Sequence, residues 1–466
     1  MIQVGARIGI LLLGVVLMGY LARRLGTAEY GRYAVAVVLI NWLMITIVVA
    51  TGGATIRLVA GQKNGRRYAV SMLQMAGMLA TTLAVVIALA AQPLADLLRS
   101  PGIAPLLRIL SADFALSTVA GIYVSILVAQ GRYVLSAGIS LATMATRVLA
   151  AFIFVEQGLL ASGACLALVA GAVVQLVMGR WASGIAFFSR DRVPFADLWG
   201  HTRLLAGAQL ALHISQSMDL LAVKFFALSP AIAGLYAGGQ NIGQAGFMLF
   251  GPTQAVLLQS MAKSRREENH LDAARTGALY LRVALTYSTL LCALSVLADE
   301  IAVFLLGPAF AQSGTILAIL LWAVAFRLLA GTGRTLIAAV GEKVSIMLPL
   351  LILIVLGIIA YAIAIPRGGI IAAAAVALGL AVAGGLTSLR EGLKLMGIRF
   401  PWISLLKIAV AAAVTALVAA SLPGSGWLLI AKLAVSCLLY AALLFSFNEW
   451  RPTRQQLMSL RQALAR

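Results

Sequence analysis

Leu25-Gly-Thr-Ala28-Glu-Tyr-Gly31-Arg-Tyr33-Ala34 returns 203 residues later as Leu228-Ser-Pro-Ala231-Ile-Ala-Gly234-Leu-Tyr236-Ala237, both fitting L-x-x-A-x-x-G-x-Y-A. A second pair of anchors lies further along each half. Ala120-Gly121 with Ala129-Gln-Gly131-Arg132 matches Ala330-Gly331 with Ala339-Val-Gly341-Glu342, at an offset of 210. Each stretch follows a long apolar run at the same relative place. The chain therefore reads as an internal duplication.

The apolar runs belong to a membrane. Of 466 residues, 62% are apolar and 11% charged, with a mean hydropathy of +1.01. A soluble domain is about 45–50% apolar and about 25% charged, so the polar surface that such a body needs is missing. Net charge is +20. In a soluble chain that excess would suggest nucleic acid; here it follows from the concentration of Lys and Arg in cytoplasmic loops, and no nucleic-acid partner is expected. Cys165, Cys292 and Cys437 each sit inside an apolar run, with no disulfide or metal spacing. The first run ends at Ala22-Arg23-Arg24 rather than a small-residue cleavage site, so it reads as a retained helix.

A helix crossing the hydrocarbon needs about 20 largely apolar residues. Runs of that kind number fourteen, from 4–22 and 34–53 through to 403–422 and 427–447. With the N-terminus inside, 24 Lys and Arg fall on the cytoplasmic side and 6 outside, and Arg147, Lys224, Arg282, Arg327 and Lys432 lie within spans. That bias sets the orientation, with both termini cytoplasmic. The two anchors are six spans apart, an even number, so the halves share one orientation, as in parallel repeats. The expected fold is an all-α integral membrane protein of about 14 transmembrane helices. Two six-helix parallel-repeat lobes, 1–200 and 201–398, precede two C-terminal helices and a basic cytoplasmic tail in 399–466.

Ionisable and amide side chains inside spans mark cavities or interhelical contacts, because a central charge costs about 2.5–3.5 kcal/mol even on lenient scales. The seventh span, 203–226, is the most polar. At about 100° per residue, His213, Gln216, Ser217, Asp219 and Lys224 all fall within about 80° of Gln209. In the next span Tyr236, Gln240, Asn241 and Gln244 share a face, and in the tenth so do Arg327, Gly331 and Arg334. Arg147 lies mid-span in the fifth with no carboxylate in that span, and Asp113 of the fourth is a candidate counter-ion or an interface residue. Each polar residue has a plainer reading as interhelical hydrogen bonding, and Lys224 sits near enough to the outer end to snorkel. Arg147 and Arg327 are the sharpest candidates. The ionisable chemistry is asymmetric: Asp219 corresponds to Val16, Lys224 to Leu21, and Arg327 to Ser117.

What is missing narrows the chemistry. No G-x-x-x-x-G-K-[ST] loop is present, which argues against direct ATP use. The outer connections are short and hold few carboxylates (Glu29, Asp96, Glu156, Asp299, Glu300), a poor basis for a membrane glycosyltransferase or a polymerase. A cationic cavity suits an anionic substrate, since Arg holds phosphate bidentately.

The stretch Leu25–Ala34 resembles the motif that follows the first helix of the polysaccharide-biosynthesis transporters, the oligosaccharide-lipid flippases of bacterial envelopes. Asp219-Leu-Leu-Ala-Val-Lys-Phe-Phe, leading to Ala231, Gly234 and Tyr236, is similar to their D-x-x-x-[VI]-x-x-[FY] segment. The resemblance extends over roughly residues 1–450. It implies membership of the multidrug/oligosaccharidyl-lipid/polysaccharide exporter superfamily and, as the activity, alternating-access translocation of a polyprenyl-diphosphate-linked oligosaccharide across the bacterial inner membrane. Arg147 and Arg327 would then hold the diphosphate or acidic sugars, with Lys224 and Asp219 supporting. His213, Gln216, Gln240, Asn241, Gln244 and Arg334 complete the candidate lining. No catalytic residue, metal or cofactor is expected; proton or sodium coupling through Asp219 stays open. The partners implied are the lipid-linked substrate, the bilayer, and the polymerase and glycosyltransferases of the same assembly line. The alternatives are lipid II translocation, cation-coupled drug export and, last, a membrane glycosyltransferase or polymerase. The first span lacks the coupling carboxylate that drug exporters of this superfamily commonly carry, and their usual helix count is twelve.

Overall fold

The computed structural model describes residues 2–60, 65–188, 193–227, 229–266, 270–340, 347–423 and 426–449. The basic tail, the 341–342 part of the second anchor and Leu228 lie outside them. Of the described residues 92% are helical, and none of them lies in a strand. In chain order the helices are α1 (Ile2–Val59), α2 (Gly65–Leu97), α3 (Ile103–Ala129), α4 (Tyr133–Phe154), α5 (Leu160–Ser183), α6 (Phe195–Ala227) and α7 (Pro230–Arg266). There follow α8 (His270–Leu294), α9 (Ala298–Leu306), α10 (Ser313–Val340), α11 (Met347–Met396), α12 (Trp402–Ser421) and α13 (Leu428–Ser446).

Among the described residues, nine elements are long and apolar enough to cross a bilayer. That differs from the fourteen runs counted in the sequence, for two physical reasons. Three of the nine contain a break: Gly26 (φ 67°, ψ 178°) in α1, Gly158 (φ 85°, ψ 7°) between α4 and α5, and Gly369 (φ 60°, ψ −145°) in α11. The other reason is polarity, since α6 and α7 carry too many amides and charges to register as apolar spans. Side-chain placement agrees with a lipid surround. Along α11, Leu348, Ile352, Val355, Ile359 and Ile363 all point outward, a stripe that a protein bathed in water would bury. The protein is a multi-pass membrane protein.

The residues form two compact units. The first comprises 1–245, 305–316 and 345–377, the second 246–304, 317–344 and 378–466. In the first, α3 packs against α1, α2 and α5, and α4 against α1 and α5. A core of Met72, Leu73, Met75, Ile122, Tyr123 and Ile126 also takes in Ile185 from the α5–α6 connection and Leu198 of α6. Hydrogen bonds hold that connection to α2: Gln74 Nε2 donates to the Phe187 carbonyl at 3.0 Å, and the Val193 amide donates to Ser71 Oγ at 2.7 Å.

The duplicated motifs meet within this unit. Backbone at 27–31 crosses backbone at 230–234 so closely that a methyl on Gly31 would overlap the Pro230 carbonyl oxygen, and one on Gly234 would overlap the Thr27 carbonyl oxygen. Position 230 is 27 plus the repeat offset, and 234 is 31 plus the same offset, so the contact is reciprocal. The helix breaks at equivalent places by different means. In the first copy Gly26 adopts backbone angles that only glycine takes readily. In the second, Ser229 stands at that position, the helix ends at Ala227, and Pro230 opens α7, where its fixed φ suits a first turn.

In the second unit the Ser288 hydroxyl donates to the Ala325 carbonyl at 3.2 Å, tying α8 to α10, while Gly333 of α10 lies against Ser388 and Leu389 of α11. Helix α13 is fastened by Lys432 Nζ to both Glu300 oxygens of α9 at 2.7 and 2.9 Å, and by Tyr440 Oη to the Thr286 carbonyl at 2.9 Å.

Candidate functional site

Helix α4 carries Arg147 towards α3, where Asp113 is enclosed. Arg147 Nη2 stands 3.9 Å from Asp113 Oδ1, with side-chain exposures of 23% and 4%. At that distance the two attract as charges without a hydrogen bond. Asp113 Oδ1 takes its hydrogen bond from Ser117 Oγ, one turn on in α3, at 3.0 Å. Arg147 Nε is buried with no acceptor, and none of the hydrogen bonds among the described residues comes from this guanidinium. A guanidinium carries five N–H donors, and here the buried Nε donor has no acceptor. Gly171 of α5 gives Arg147 its course, since a methyl there would lie 2.5 Å from Arg147 Cγ and 2.9 Å from Nε.

The polar face of α6 is disposed differently. Asp219 is buried (1% exposed) and accepts from Tyr236 Oη at 3.1 Å, Gln240 Nε2 at 2.6 Å and the Leu220 amide at 3.0 Å. The carboxylate therefore joins α6 to α7. Asn241 Nδ2 donates to Tyr30 Oη of α1 at 2.9 Å. Those three residues make the interhelical bonds that polar groups in membrane helices commonly supply. Lys224 is covered by its neighbours (1% exposed), with Arg32 close enough to repel it. His213, Gln216 and Gln244 are half-buried, and no hydrogen bond from their side chains occurs among the described residues.

Trp42 joins this face and was not legible as a site residue. Its Nε1 donates to Ser217 Oγ at 2.6 Å, while that hydroxyl donates to the His213 carbonyl at 2.8 Å. An indole in an apolar run gives no sequence signal, and only its pairing across to α6 marks it.

The candidates thus fall into three groups. The first unit holds Arg147 with Asp113, and separately Asp219, Gln240 and Asn241 in their hydrogen-bonded node beside His213, Gln216, Lys224 and Gln244. The second unit holds Arg327 and Arg334, both half-buried on α10, with Tyr280 of α8 facing Arg334. Among the described residues no cluster of His, Cys, Asp and Glu could hold a metal ion.

Comparison with known proteins agrees with this architecture. A solved structure described as the lipid II flippase MurJ in an inward closed conformation superposes with a TM-score of 0.77 at 15% identity, covering 96% of this chain and 99% of that one. An inward-facing multidrug resistance MATE family transporter of the MOP superfamily gives 0.66 at 16% identity, over 85% and 98% of the two chains. A mutant of the Vibrio cholerae MATE transporter VcmN gives 0.59 at 15%, over 84% and 97%. At such identities the likeness establishes the fold, that of membrane transporters. No curated protein matches the chain by sequence. The family model described as polysaccharide biosynthesis protein matches residues 2–263, more than half the chain, and the protein belongs to that family.

Proposed function

We propose that this protein is a flippase that moves a polyprenyl-diphosphate-linked oligosaccharide across the bacterial inner membrane for cell-surface polysaccharide synthesis. It works by alternating access between the lobes 1–200 and 201–398, with both termini in the cytoplasm. The family and the transporter fold support the class. The observation that carries the substrate chemistry is Arg147, a permanently charged group with uncommitted donors on a membrane helix. A diphosphate is the natural occupant, because it accepts the paired N–H bonds that a guanidinium offers. Within the same unit Lys224 adds positive charge, and His213, Gln216 and Gln244 offer hydrogen bonds to sugar hydroxyls. Glycosyltransferases would supply the substrate, and a polymerase would consume the product.

The test is leaflet-resolved transport of the host's lipid-linked oligosaccharide in vesicles carrying the purified protein. Arg147→Gln should lower the rate roughly tenfold to a hundredfold, since a hydrogen bond to a charged group contributes about 1.5–3 kcal/mol. Folding, followed by gel filtration, should be unchanged. Normal transport by the variant would remove the assignment. The fold similarity to a lipid II flippase supports a second reading, translocation of lipid II. Depleting the protein in its host separates the two, because the lipid that accumulates on the cytoplasmic leaflet names the substrate.

A further inference from the structure

The Arg147 site contains its own anion. Asp113 lies 3.9 Å away on the enclosed side, while Arg147 is the more exposed of the two. The empty site is therefore close to neutral, and the guanidinium keeps its donors free because the carboxylate stands just beyond hydrogen-bonding reach. A substrate phosphate arriving at Arg147 would set a second negative charge beside a buried one. In a low-dielectric surrounding, two such anions on one cation repel strongly, and the usual relief is protonation of the enclosed carboxylate.

We propose that anion binding at Arg147 is coupled to uptake of one proton by Asp113, which makes this pair a proton-linked gate on substrate entry. The proposal rests on the reading of Arg147 as the substrate's anion site. The balance is simple: the anion takes over Arg147, the Asp113 carboxylate gains H⁺ from the aqueous side, and no covalent bond other than that O–H forms. The neutral carboxyl retains an oxygen for Ser117 Oγ, already 3.0 Å away. The ionisable groups facing Asp113 are Arg147 from α4, Tyr33 from α1 and Cys165 from α5, and α2 presents none among the described residues. Neither a phenol nor a thiol normally carries charge near neutral pH, so Arg147 is the one counter-charge that favours ionised Asp113, beside the hydrogen bond from Ser117. Losing Arg147 to the substrate leaves the carboxylate without a counter-charge.

The sign follows from linkage. The anion-bound state holds one proton more than the free state, so affinity rises as pH falls, by up to about tenfold per pH unit. Isothermal titration of the full-length protein in lipid nanodiscs with farnesyl diphosphate would measure this between about pH 5.5 and 8. The comparison is wild type against Asp113→Asn and Asp113→Ser, two neutral replacements of different shape, with Arg147→Gln as the control for site occupancy. The probe's own titration is common to all and cancels in the difference. The expected result is a wild-type curve steeper than those of both Asp113 variants by one proton, with the variants binding more tightly at high pH. Parallel curves, with binding still abolished by Arg147→Gln, would overturn the coupling and leave the flippase reading intact. Wild-type binding that ignores Arg147→Gln would remove the anion site, and both readings with it.

Discussion

At the scale of single residues, the distinction that matters is between polar groups already engaged and polar groups held open. Asp219, Gln240 and Asn241 have direct partners on neighbouring helices, whereas the donors of Arg147 do not. The sequence showed both kinds as polar residues on apolar helices and had no means to separate them. Asp113 and Arg147 are 34 residues apart on different helices, so periodicity could name each but not the pair. Gly171 was invisible for the same reason: it acts through the space it leaves for the Arg147 stem. Gly171→Ala should therefore weaken anion binding about tenfold without touching the ligand, because the added methyl moves the guanidinium. Titration with farnesyl diphosphate checks this, and an unchanged Kd would show that the stem has another route.

At the scale of helices, the apolar runs were readable because a bilayer demands length and hydropathy together. The break at Gly26 falls in the connection drawn between the runs 4–22 and 34–53. Harder to see was the reason for the shared glycine in L-x-x-A-x-x-G-x-Y-A. Two copies of the motif are needed in space before Gly31 and Gly234 explain each other. Packing a methyl into a tight contact typically costs about 1–3 kcal/mol. Gly31→Ala and Gly234→Ala should each lower thermal stability. Because both load the same crossing, the double variant should cost less than the two losses combined, with a coupling of about 0.5–3 kcal/mol. Thermal unfolding of all four proteins in one detergent measures it. Strict additivity would mean that the two sites do not share a contact in the membrane.

At the scale of the whole molecule, the distribution of Lys and Arg predicts an orientation with both termini cytoplasmic, and labelling can read it directly. In a cysteine-free background, Arg66→Cys and Arg390→Cys should react with a membrane-impermeant maleimide only in inverted vesicles. Arg99→Cys and Arg367→Cys should react only in intact spheroplasts. The opposite pattern would reverse the assigned direction of transport. The duplication has a different kind of consequence. A contact in which 31 meets 230 while 234 meets 27 is the self-complementary arrangement of a two-fold homodimer, here written into one polypeptide. Each copy of the motif packs on the other as one protomer of such a dimer packs on its partner, so the glycine of each is required by the backbone of the other. Elsewhere the two halves differ, as Asp219 against Val16 and Lys224 against Leu21 illustrate. At the crossing, a side chain gained by one copy has to be accommodated by the other, so these few residues would be the slowest part of the molecule to change.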